Sequence, residues 1–227
     1  MSRSRLSYFT CAIFIFLVLA WVGTETIRYS EPVYEGHTLT EWLYENRKAP
    51  LPESGHPDPK EPKLISEKAI RAIGTNALPT LLRMMAAKDA PIKTRFIALS
   101  RRQTFLKTNI QDAHSKRFLA YLGFQILGSD AKDAVPELAT LARNDDVDIR
   151  VFSLSSLDFI KADKKDFLPV LLDLIQDPAR SPYDPDPSIG FRAAEILYRR
   201  FPEEVENTGA SKKPEFIKWA ASKQFGQ

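Results

Sequence analysis

The stretch AVPELATLA, residues 134–142, sets Pro136 inside a run that otherwise reads as helix. Proline in a helix interior removes a backbone hydrogen bond and clashes with the turn before it, at a cost of about 3 kcal/mol. In the first turn that cost vanishes, because the missing N–H has no intrahelical acceptor there. Two sister stretches decide between these cases. ALPTLLRMM fills residues 77–85 and FLPVLLDLI fills residues 167–175. Each has an apolar residue before its proline and a leucine two positions after it. Apolar residues then recur three, five and six positions on: Leu82, Met84 and Met85; Ala139, Leu141 and Ala142; Leu172, Leu174 and Ile175. That is one apolar stripe at helical period. The pattern predicts that Pro79, Pro136 and Pro169 each start a helix, the second and third 33 residues apart.

A partner helix precedes each one. AIRAIG ends at Gly74, YLGFQILG at Gly128 and SLSSLDFIK at Lys161, where a glycine end supplies a left-handed cap. A fourth first helix runs from Ser188 to Phe201, after the proline-rich loop SPYDPDP, residues 181–187. KPEFIKWAASKQF, with Phe216 and Trp219, reads as a closing helix outside the repeats. Residues 92–114 interrupt the period and are expected to add a helix. The expected class is all-α: an α-α superhelix preceded by one N-terminal transmembrane helix.

The N-terminal half of that expectation rests on residues 6–24, nineteen positions without a charge, which follow Arg3 and Arg5. As a helix they span roughly 28 Å, close to the hydrocarbon core of a bilayer. Trp21 sits at the outer end, and the basic residues before the run place the N-terminus in the cytoplasm and the remainder outside it. A cleaved signal peptide ending near Ala20 is the alternative, with secretion as its outcome. Cys11, the sole cysteine, excludes an intramolecular disulfide and reads as a small apolar residue facing lipid. The expected division is an anchor or signal segment over 1–30, a short helix and proline-rich linker over 31–63, and a repeat domain over 64–227. In the middle part, Thr38 and Glu41 have capping-box spacing ahead of a helix from about Leu39 to Asn46. Residues 47–63 hold five prolines and almost nothing apolar, so they read as a loop, with His56 solvated.

Charge gives no argument for nucleic acid. The net charge is +3, and outside residues 1–30 the chain carries 29 basic against 28 acidic residues. Lys93, Arg95, Arg101, Arg102, Lys107, Lys116 and Arg117 gather on one stretch and read as a solvated helical face.

DDVDIRVFSLSSLDFI, with Val147, Ile149 and Arg150 ahead of Pro169, resembles the short HEAT-like repeat of the PBS-lyase type. Residues 69–85 and 122–142 resemble the same unit, and the resemblance covers roughly residues 64–205. Tyr34, Gly36, Leu39, Trp42 and Leu43 also match a Y-x-G-x-x-L-x-x-W-L element found before the repeats in a group of bacterial HEAT-repeat proteins with a secretory or membrane N-terminus. The resemblance implies a solenoid whose second helices line a concave recognition face. It implies no activity.

Residues that could carry chemistry are sparse. His37, His56 and His114 have no His, Cys or Glu at metal-ligand spacing, and the paired His-Glu motifs of HEAT-like metal hydroxylases have no counterpart. Asp145, Asp146 and Asp148 lack the ladder of an EF-hand and read as a turn that caps the next helix; Asp184 and Asp186 read as surface loop. There is no phosphate-cradling glycine loop and no nucleophile elbow. Aligned on their prolines, the second helices place Arg83, Thr140 and Asp173 in one register, with Glu137 and Gln176 on the same polar side. These five are the expected partner contacts. The expected function is a membrane-anchored scaffold for another protein on the extracytoplasmic side, with no cofactor, no metal and no nucleic acid. The alternative is a HEAT-like enzyme, a nucleic-acid glycosylase or a lyase, with its site on the concave face.

Overall fold

The computed structural model describes residues 31–48, 62–89, 112–183 and 188–224. The apolar run 6–24, His56 and the segment 90–111 lie outside the described residues, as do Asp184 and Asp186. Among the described residues the chain is mostly helical, as an all-α reading requires. No helix among them is long and apolar enough to cross a membrane.

A small antiparallel hairpin opens the described fold. β1 (Val33–Tyr34) pairs with β2 (His37–Thr38) across Glu35 and Gly36, whose φ values of 48° and 80° make the two-residue turn. α1 (Leu39–Lys48) follows directly. Its capping box forms as the spacing predicts: the Thr38 hydroxyl accepts from Glu41 N–H, and Glu41 accepts from Thr38 N–H at 2.7 Å. Trp42 donates its indole N–H to Tyr34 O, and Leu43 is fully buried, so hairpin and helix move as one piece.

The proline-marked helices come next. α2 (Pro62–Ile73) ends in the 3-10 turn Gly74–Ala77, which leads into α3 (Leu78–Met85). α4 (Ala113–Leu127) passes through the 3-10 segment Gly128–Ala134 into α5 (Val135–Leu141). α6 (Val147–Phe159) is followed by α7 (Lys164–Leu174), and α8 (Ile189–Arg200) by α9 (Pro202–Asn207) and α10 (Pro214–Gln224).

Pro79 and Pro136 stand in the first turn of α3 and α5, as expected. Pro169 does not. It lies inside α7, which starts five residues earlier at Lys164. The extra turn is tolerated because the carbonyl that loses its N–H partner belongs to Lys165, an exposed residue that water can reach. The buried stripe agrees across all three helices: Leu81, Leu138 and Leu171 are fully buried, as are Met85, Ala142 and Ile175 four positions on. Leu82, Ala139 and Leu172, placed in the stripe by the sequence, are only half-buried at its edge.

The ends of the first helices also match. Gly74, Gly128 and Lys161 all have positive φ, at 60°, 55° and 57°. At Lys161 the backbone closes a Schellman motif, with Lys161 N–H on Asp158 O and Ala162 N–H on Leu157 O, both 3.1 Å.

Two rows of helices result. α2, α4, α6 and α8 lie side by side, each touching the next; α5 and α7 lie behind them. Each proline-marked helix packs on the helix that follows it, α3 on α4, α5 on α6 and α7 on α8. The core runs between the rows through Leu81, Phe124, Leu138, Leu154 and Phe167. Gly123 lets α3 approach α4, since a Cβ there would stand 2.5 Å from Leu81. Trp219, expected outside the repeats, is 6% exposed and belongs to the same cluster, against Phe216 and Tyr198.

Candidate functional site

The first-row helices turn their outer faces to one side, and a groove runs along them. On α4 that face carries His114, Phe118 and Tyr121; on α6 it carries Asp148, Phe152, Ser155 and Phe159; on α8 it carries Arg192, Glu195 and Arg199. Steps of three and four residues make each set one stripe of a helix, opposite its buried stripe.

At one end, a cleft of about 690 Å³ opens between the start of α4, the turn 145–148 and Pro182–Tyr183. Its floor is Asp148, whose side chain is 4% exposed. One carboxylate oxygen of Asp148 meets His114 Nδ1 at 2.7 Å, and the other accepts the Ser181 hydroxyl. Arg117, also buried, stands 3.6 Å from Asp148. It donates to Asp146 at 2.7 Å and twice to Ala87 O, at 2.7 and 3.1 Å. Asp146 in turn caps α6 by accepting from Asp148 N–H and Ile149 N–H, the capping role read from the sequence. A buried carboxylate is stable only when paired and hydrogen-bonded, and this one has three partners. The network ties α3, α4, α6 and the 181–183 segment together.

The Tyr183 ring lies on the His114 ring, centroids 3.7 Å apart and 23° from parallel. This pair divides the first cleft from a second one of about 260 Å³, walled by Phe118, Tyr121, Phe152 and Tyr183. Phe152 is the hub: its ring lies 5.5 Å from His114, 5.7 Å from Tyr121 and 6.4 Å from Phe118. Arg47 of α1 covers Phe118 from 5.3 Å. Tyr121 is buried enough to raise its hydroxyl above the usual tyrosine range, a shift that the charge of Arg192 opposes. A third cleft of about 260 Å³ shares Tyr121, Ser155 and Arg192 with the second and continues between Phe159 and Arg199. Arg199 pairs with Asp158 there.

The five expected partner contacts lie elsewhere. Arg83, Glu137, Thr140, Asp173 and Gln176 are all exposed on α3, α5 and α7 or just past α7, outside the three clefts. Arg83 stands 4.0 Å from Glu31, Thr140 donates to Pro136 O, and Asp173 accepts from Arg143 at 2.6 Å. They form an exposed polar row.

Sequence reading weighed His114 only as a metal ligand, took Asp148 for part of a capping turn, and grouped Arg117 with a solvated basic face although it is buried. The signal that links them was present. Asp112 and Asp146 are the N-caps of α4 and α6, and aligning them lays His114 on Asp148 and Phe118 on Phe152.

His114 Nε2 has no hydrogen-bond partner among the described residues, so the ring presents one anchored and one open nitrogen at the groove. A histidine oriented this way can move a proton. The nearby Ser181 hydroxyl is spent on Asp148. Among the described residues no three His, Cys, Asp or Glu side chains are placed to hold a metal ion. Comparison with protein-family models, with curated proteins and with solved structures finds no match to this chain.

Proposed function

We propose that this chain is a membrane-anchored HEAT-like scaffold that binds another protein outside the cytoplasm and carries out no catalysis of its own. The anchor is the charge-free run 6–24 behind Arg3 and Arg5, with the N-terminus inside and the helices outside in a bacterial inner membrane. The repeat reading draws support from the register shared by α3, α5 and α7, and from the matching ends at Gly74, Gly128 and Lys161.

The observation that carries the binding reading is the groove across α4, α6 and α8. Three half-buried aromatic rings, Phe118, Tyr121 and Phe152, and the exposed ring of Tyr183 line its second cleft. Large rings held in place by their neighbours offer contact area at little entropy cost, which is why they anchor interfaces. Of the two exposed helical faces, we assign docking to this one. The polar row from Arg83 to Gln176 lines none of the three clefts.

The enzyme alternative has one observation in its favour, the His114–Asp148 pair at a cleft. It would use His114 as a proton carrier, but the polar groups around it are already matched to one another. In vivo cross-linking of the tagged full chain, followed by carbonate extraction of membranes, tests the proposal. A discrete cross-linked species in the carbonate-resistant fraction is expected. A chain that extracts freely and cross-links to nothing overturns the reading.

A further inference from the structure

We draw no further inference here: the strongest candidate, the ring-lined cleft between α4 and α6 walled by Phe118, Tyr121, Phe152 and Tyr183, belongs to the docking groove already described, and nothing in the structure shows what covers it.

Discussion

His114 and Asp148 hold the same position in successive helices, the second residue of α4 and of α6, and meet at 2.7 Å. A contact between equivalent positions converts neighbouring helices into a locked pair. Asp148 also holds Ser181 and faces Arg117, so the lock extends to α8's approach segment and, through Ala87 O, to the end of α3.

Breaking that lock should be costly. Asp148→Ala strands a half-buried histidine contact and a serine hydroxyl and removes one of two carboxylates beside Arg117. Removing one partner of a buried pair costs about 3–5 kcal/mol. Asp146 remains with Arg117, so the lower end of that range, about 3 kcal/mol, is expected in chemical denaturation. Ser181→Ala removes two hydrogen bonds, one donated to Asp148 and one accepted from Tyr183 N–H at 3.2 Å, and should cost about 2 kcal/mol at roughly 1 kcal/mol each.

Lys161 has a positive φ, 57°, at a helix end where its two counterparts, also at positive φ, are glycines. A non-glycine residue there carries a steric penalty of about 1–2 kcal/mol, and glycine returns part of the gain as unfolded-state entropy. Lys161→Gly should therefore stabilise the chain by about 0.5–1 kcal/mol, read as a rise in melting temperature.

Gly190 behaves in the opposite way. It sits in α8, where alanine is normally the better helix former. A Cβ there would stand 2.8 Å from Glu215 Cγ and 2.9 Å from the backbone oxygen of Asp177, which also accepts Gly190 N–H. Backbone cannot step aside as a side chain can. Gly190→Ala should destabilise by about 1–3 kcal/mol, the range of overpacked cores.

Glu215 gives the fold an acid limit. Burial pushes its carboxyl up, but hydrogen bonds from Lys218 and Ser188, with the charges of Lys218 and Arg180, together outweigh burial and hold it below the ordinary glutamate value of 4.5. A lowered folded-state pKa means the stabilisation is complete above the unfolded value and is lost as pH falls through the folded one. Melting temperature should thus drop below about pH 4.5, and Glu215→Gln should lower it at neutral pH while flattening that acid-side slope. An unchanged slope in the variant would contradict the assignment.

The helices were legible because proline and glycine mark positions by backbone chemistry. Pro79, Pro136, Gly74 and Gly128 each have one cheap place in a helix. Pro169 misled by more than one turn because Lys164 to Leu168 can add helix ahead of it wherever the stranded carbonyl stays wet. The candidate groove was not legible in the same way. Its residues are contributed by three helices, and polar positions such as Asp148 read as solvent-facing until the fold shows what covers them. Arg83, Thr140 and Asp173 share a register, but register alone does not create depth. The rings of Phe118, Tyr121, Phe152 and Phe159 look like core in sequence, since apolar character does not reveal which side of a helix a neighbour leaves uncovered.

The most direct test of the central claim compares two positions in living cells. A photoreactive phenylalanine analogue replaces Ser155, which lines the second and third clefts, or Glu137, which lies on the exposed face of α5. If the groove across α4, α6 and α8 is where a partner docks, irradiation yields a discrete cross-linked species in the membrane fraction from position 155, and Tyr183→Ala in the same chain removes it. A species from position 137 alone, with none from position 155, would place the interaction on the other face and contradict the account.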